Sequence, residues 1–243
     1  MTELRILPLT GVPEVTAGDD VAQYVADAFE LEDDDIVVLA QKIVSKAEGR
    51  VVRLDDVEPS DRAREIAGED LDPRRVEVIL RESAEIVRVR RPLIIAQTRH
   101  GFICASAGVD SSNAPGEGWL VLLPEDPDES AQRIRARLRE LTGKTVGVLI
   151  TDSFGRPWRQ GTVDIAIGSA GIPVVLDLRG TRDRVGYELK ATFIAVADEL
   201  ASAAELVMGK VGGVPGALIR GLRLEGDGRA RDLAMPRERD LFR

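Results

Sequence analysis

Apolar residues along this chain recur in two rhythms, spacings of three and four or short unbroken runs, and the switches between them mark out the elements. Val21, Tyr24, Val25, Ala28 and Phe29 share one face of a helix predicted over 19–31, with Asp19 or Asp20 placed to cap it. Strands are predicted at 4–9 before it and 36–40 after it. Helices follow over 61–67 and 73–83, the second with Pro73 in its first turn, where a missing amide hydrogen costs little. Strand-like runs then crowd together at 85–89, 93–97, 102–106 and 119–123, and a helix over 130–141 turns Ile134, Leu138 and Leu141 inward. Strands at 145–151, 163–167 and 173–177 precede the longest predicted helix, 190–208. Its stripe of Phe193, Val196, Ala197, Leu200, Ala204 and Val207 reads as core. A last strand over 217–222 leads into a charged tail from Glu225. Strands that cluster in this way predict an α+β (mixed α/β) fold of irregular mixed sheets and packed helices, not a doubly wound one. With no fixed repeat and no long Pro/Ser linker, residues 1–243 are expected to form one domain or two lobes of one.

Composition narrows the function. A chain of 243 residues, 44% of them hydrophobic, can fill a substantial core. The net charge of −9, with acids and bases interspersed, advertises no surface for nucleic acid. Cys104 is the single cysteine, which excludes an internal disulfide and a cysteine-rich metal site and makes a cytoplasmic location the simplest expectation. No apolar run nears the roughly 20 residues of a membrane helix. His100, the single histidine, would have to carry any Ser-His-Asp relay or zinc site alone; between Arg99 and Gly101 it reads as a turn residue. Only five of the 33 basic residues are lysines, which makes the pair Lys42 and Lys46 noticeable, although a solvated helix face would look the same.

Candidate chemistry gathers at two acid-bearing loops. In 147–161 an apolar run stops at Thr151-Asp152-Ser153 and is followed by Arg156 and Arg159; in 108–115 Asp110-Ser111-Ser112-Asn113 follows another strand-like run. Together Asp110 and Asp152 would offer hard oxygen ligands suited to Mg²⁺ or Mn²⁺ on a nucleotide's phosphates, with Asx-turns as the plain alternative. Arg156 and Arg159 are candidates for substrate phosphate or carboxylate, since guanidinium forks match both. A second polar cluster, 177–183, carries Asp177, Arg179, Arg182 and Asp183. Gly143-Lys144-Thr145 mimics the end of a P-loop, but Leu138 stands where the first glycine belongs, and Lys144 follows a helix instead of opening one. No dinucleotide fingerprint follows a predicted strand, so neither a P-loop nor a Rossmann fold is expected. The glycine-rich stretch 207–215 reads as a helix C-cap that also lets backbone amides approach a phosphate or base.

Taken in order, Leu7-Pro8-Leu9-Thr10-Gly11-Val12-Pro13, Val44-Ser45-Lys46-Ala47-Glu48-Gly49-Arg50, Ala107 to Asn113, Thr151 to Arg156 and Ala166-Ile167-Gly168 resemble the coenzyme F420-0:L-glutamate ligase family over nearly the whole chain. The resemblance implies GTP-dependent addition of L-glutamate to F420-0 to build a γ-linked tail, with Mg²⁺ or Mn²⁺, a monovalent cation such as K⁺ as a further candidate, and a homodimer. It implies metal binding by Asp110, Asp152 and Ser153. It implies a GTP site of Val12, Pro13, Glu14, Val15, Gln41, Lys42, Lys46 and Asn113, closed by Met208, Gly209, Lys210, Val211, Gly212, Gly213 and Val214. Some members carry a glutamate ligand after the Met-Gly pair, and here that place holds Lys210. Either one metal is lost, another group supplies the ligand, or the ammonium itself sits near the phosphates. A ligase for a different acceptor and a silent F420- or nucleotide-binding module are the alternative readings. Some members continue into a flavin-type domain, so a chain of this length is expected as a stand-alone ligase or the ligase half of a longer protein.

Overall fold

A computed structural model describes residues 3–242. In chain order the regular elements are β1 (Arg5–Pro8), α1 (Val21–Ala28), β2 (Ile36–Ala40), α2 (Gln41–Ala47), β3 (Val51–Arg53), α3 (Asp61–Ala67), α4 (Pro73–Glu82), β4 (Ser83–Arg90), β5 (Leu93–Thr98), β6 (Ile103–Ala105), β7 (Trp119–Val121), α5 (Pro127–Thr142), β8 (Gly147–Arg156), β9 (Arg159–Ala170), β10 (Leu176–Asp177), β11 (Phe193–Ile194), α6 (Val196–Met208) and β12 (Gly216–Arg220). The main sheet runs β1-β12-β2-β8-β9 and is antiparallel except where β2 lies parallel to β8. Smaller sheets, β4-β5-β6, β3-β7 and β10-β11, complete the mixed α+β architecture that clustered strands predict.

The strand period of two divides the main sheet's side chains between two cores. Val37, Leu39, Val148, Ile150, Ile167 and Leu218 face α1 and α5, whereas Ile36, Val38, Leu149, Ala166, Ala217 and Ile219 face α6. Helices on both sides explain why β2 reads as one unbroken apolar run. A third core, with Val57, Ala63, Val76, Ile79, Ile94 and Leu120, is formed by α3, α4 and the sheets β4-β5-β6 and β3-β7.

Of the two acids placed to cap the first helix it is Asp20 that does so, and other helix ends are closed by side chains or glycine. The Asp20 side chain accepts from the Gln23 amide at 3.2 Å, and Asp72 caps α4 ahead of Pro73. Gly143 closes α5 in the left-handed region at φ 73°. Lys144 thus follows a helix and precedes a strand, the order that excludes a P-loop. His100 lies in the turn between β5 and β6, its Nε2 2.9 Å from the Glu125 carbonyl.

Three expectations need correction. The strand at 145–151 does not stop at the acid: β8 runs on through Asp152 to Arg156 and turns at Pro157-Trp158 into β9. The helix over 190–208 starts only at Val196, because Phe193 and Ile194 pair with β10; Phe193 is exposed, beneath the Arg179 guanidinium, and is not core. The strand over 173–177 shrinks to its last two residues. Two short elements, α2 and β3, carry too little periodicity to be predicted.

Gly168, in the Ala166-Ile167-Gly168 motif, is where β9 meets the start of α5, and a Cβ there would lie 2.3 Å from the Pro127 carbonyl oxygen. Because the clash is with backbone, neither side can yield without moving an element. Gly168→Ala is expected to lower unfolding stability by about 2–3 kcal/mol, read from the urea midpoint; a midpoint within error of the parent would show that the helix shifts freely.

Candidate functional site

Parallel pairing of β2 with β8 brings Ala40 opposite Thr151 and so aligns the carboxyl ends of both strands, the edge where open α/β sheets place ligands. Beyond that edge α2 starts at once with Gln41 and Lys42, while β8 continues into Asp152 and Ser153. Register sets Asp164 of β9 opposite Ser153. From the other side α6 ends at Met208, and Gly209, at φ 58°, turns the chain into the glycine-rich segment before β12. These parts enclose a cleft of about 320 Å³.

Most of the expected nucleotide residues line this cleft: Val12, Pro13, Glu14, Val15, Gln41, Lys42, Lys46 and Asn113, then Met208, Gly209, Lys210, Val211, Gly213 and Val214. Asp152 and Ser153 line it too; Gly212 does not. Asp110 adjoins it through Lys42, whose ammonium donates to Asp110 Oδ2 and Ser112 Oγ. Arg156 and Arg159 are absent from the lining: at the far end of the hairpin, Arg156 donates to its own turn, at the Gln160 carbonyl, 3.4 Å away. Four residue steps along β8 carry Arg156 away from Asp152, about 13 Å of strand. The cluster at 177–183 starts at the end of β10; in it Arg179 pairs with Asp177, and no member lines the cleft.

Asp164 stands outside the expected set and is central to the site. It is 4% exposed, accepts from Ser153 Oγ at 2.6 Å and Thr151 Oγ1 at 3.2 Å, and receives Lys210 Nζ at 3.0 Å. Its signal in the sequence is an acid inside the apolar run Val163-Asp164-Ile165-Ala166-Ile167, since a buried charge needs partners.

Charge is unevenly matched across the cleft. Burial opposes ionisation of Asp110, but hydrogen bonds from Lys42 and from the hydroxyl and amide of Ser112 outweigh it and hold the carboxyl at about 2. For Asp152, burial wins: despite the Ser153 amide and the positive field of Lys42, and with Asp164 and Asp110 nearby, the carboxyl rises to about 7. Asp152 is therefore a carboxyl whose negative charge its surroundings do not fully offset. Two further polar groups line the cleft. Lys46 is 6% exposed and bonded to the outlying Glu14. The buried Gln41 takes a hydrogen bond from Ser45 at its carbonyl oxygen while its amide nitrogen has no partner.

Cys104 lies close enough to Asp152 to feel its charge, and burial first, then that charge, pushes the thiol up to about 12. Since the thiolate is the reactive species, native protein at pH 8 is expected to take up iodoacetamide at least 100-fold more slowly than urea-unfolded protein. Comparable rates in mass-spectrometric labelling would contradict this.

Among the described residues no helix is long and apolar enough to cross a membrane. The profile of the family described as F420-0:Gamma-glutamyl ligase matches residues 11–221. The chain is 51% identical over 247 residues to the coenzyme F420:L-glutamate ligase of Methanopyrus kandleri, covering 99% of this chain and 98% of that one. It is 46% identical to the protein of the same name from Methanothermobacter thermautotrophicus, covering 99% of each, and 47% identical to that of Methanocaldococcus jannaschii, covering 96% and 92%.

Proposed function

The chain belongs to the F420-0:gamma-glutamyl ligase family, and from that footing we propose that it joins L-glutamate to coenzyme F420-0 with conversion of GTP to GDP and phosphate, and with a divalent cation in the cleft. The observation that carries the reading is Asp152, a cleft carboxylate with no ammonium bonded to it, whereas the lining acids Glu14 and Asp164 are already paired with Lys46 and Lys210.

The donor set suits a hard divalent ion. The carboxylates and hydroxyls in the lining are oxygen donors, with no thiol or imidazole among the described lining residues, and oxygen donors favour Mg²⁺ or Mn²⁺. Asp152 and Asp110 are the carboxylates that would hold it, with Ser153 beside them. When bound, such an ion supplies charge stabilisation to phosphate oxygens.

The chain's own residues account for the rest. Lys42 and Lys46 face the cleft as cations matched to a triphosphate. The segment 209–215 brings backbone amides and little side-chain bulk over it. Gln41, with an amide nitrogen to spare, suits a base or ribose acceptor. An oxygen of the acceptor carboxylate attacks the γ-phosphorus, and the bond to the bridging oxygen breaks to release GDP. The amine nitrogen of glutamate then attacks the acyl carbon, phosphate leaves with the old carboxylate oxygen, and one proton passes to solvent. Positioning and charge supply most of such catalysis.

The test is GDP release with F420-0, Mg²⁺ or Mn²⁺ and GTP, with and without glutamate, followed by mass spectrometry of the cofactor. Glutamate-dependent GDP and a product one glutamyl unit heavier are expected. Release that ignores glutamate, or ATP serving equally well, would remove the reading. The homodimer belongs to the same reading; light scattering should return twice the chain mass, and a monomer would delete it.

A further inference from the structure

Period-two alternation along β8 splits the cleft's acids into two halves. Thr151 and Ser153 turn to one face, where both hydroxyls donate to Asp164. Asp152 turns to the other, towards Lys42, Asp110 and Cys104. Each half already has an ammonium group: Lys42 on Asp110, and Lys210 on Asp164 Oδ1 and Ser153 Oγ.

The two ammonium groups are not equally free to leave. If Lys42 moves to a ligand, Asp110 keeps the Ser112 amide at 3.0 Å and the Ser112 hydroxyl at 2.7 Å, and its side chain is 43% exposed, so water makes up the difference. Asp164 has a side chain only 5% exposed, and its remaining partners are two neutral hydroxyls. Without Lys210 it would be a buried charge with no cation. Lys210 suits a lasting counter-ion: it hangs from a glycine-flanked segment, is half exposed, and has Glu205 3.9 Å away as a second acid. A divalent ion at this place would need the lone pairs that the ammonium already uses and would meet its positive charge.

We propose that Lys210 is a tethered cation that fills the Asp164–Ser153 half of the site, so that the cleft takes one divalent ion, at Asp110 and Asp152. The inference rests on the metal reading above and sharpens it by moving the Ser153 hydroxyl from metal ligand to ammonium partner. Among the described residues no three acidic, histidine or cysteine side chains are placed to hold an ion together, in keeping with acids held apart by tethered cations.

Mn²⁺ titration followed by the electron paramagnetic resonance of the free ion, with GDP present, tests this without turnover. Wild type is expected to take up one Mn²⁺ per chain. Lys210→Met should gain a second site at least ten-fold tighter than any weak second event in wild type, and Lys210→Glu, which adds a ligand, a tighter one still. Thermal melting of each variant establishes that it is folded. A wild type that binds two ions with affinities unchanged in Lys210→Met would overturn the inference alone. So would a Lys210→Met protein that gains nothing. No uptake by any form would overturn the metal reading and the inference with it.

Discussion

Asp152→Ala should abolish ligation, lowering kcat/KM about 10³-fold, a loss of roughly 4 kcal/mol in transition-state stabilisation, while the circular dichroism spectrum stays that of the parent. The expectation follows from placement: Asp152 is the cleft acid with no ammonium bonded to it, so a cation brought by a nucleotide has its claim there. Asp152→Asn separates function from stability. With its carboxyl at about 7 against an ordinary 3.8, the folded protein binds a proton at Asp152 more tightly than the unfolded chain. Stability without metal is therefore highest below pH 4 as far as this group is concerned, falls as pH rises between about 4 and 7, and stays lowered above that. A neutral carboxamide in the same place carries no such penalty. At pH 8 without metal, Asp152→Asn should be more stable than wild type by about 2 kcal/mol, roughly half of what a three-unit difference would give because cleft water screens the charge. Denaturant curves at pH 5 and pH 8 decide the matter: a variant that is inactive yet no more stable at pH 8 would mean Asp152 is already neutralised.

Asp128→Ala is expected to cost about 3–5 kcal/mol of folding stability, with activity in the surviving folded fraction unchanged. Asp128 sits in the first turn of α5, 1% exposed, where one carboxylate oxygen accepts from the amides of Ser169 at 3.0 Å and Ala230 at 2.8 Å. The other accepts from Arg231 Nε at 2.9 Å. One side chain thus ties the start of α5 to the end of β9 and to the turn at 230–233. Alanine would leave two amides without acceptors, each costing about 1–3 kcal/mol when buried. Asp128→Asn, which keeps one acceptor oxygen, should recover part of the loss. A urea midpoint shift in Asp128→Ala corresponding to less than about 1 kcal/mol would show that water replaces the carboxylate.

Local pattern was enough to read much of this fold. The cap at Asp20, Pro73 in the first turn of α4, the apolar run of β2 and the inward stripe of α5 are set by neighbours within a turn or a strand. Reading failed where distant partners decide. Phe193 and Ile194 fit a helical stripe as well as a strand, and it is β10 that claims them. The segment after Thr151 looks like a loop because its side chains are polar, yet β9 supplies a partner along its length and keeps it extended. Arg156 and Arg159 are close to Asp152 in number, but a straight strand carries them to the hairpin's far end.

The site divides along the same line. By itself the sequence determined which chemical groups are available: acids at 110 and 152, lysines at 42 and 46, and a glycine-rich segment with Lys210 where a carboxylate might stand. Residue order also carried the family resemblance, because a motif is a property of the chain and needs no folding to be read. Tertiary structure alone decided who faces whom. It set Asp164 across from Ser153, gave that buried carboxylate Lys210, and left Asp152 without a bonded ammonium. The physical reason is that charge in a cleft depends on distance and burial, and both are fixed by strand register and by the helix that crosses it, not by position in the chain.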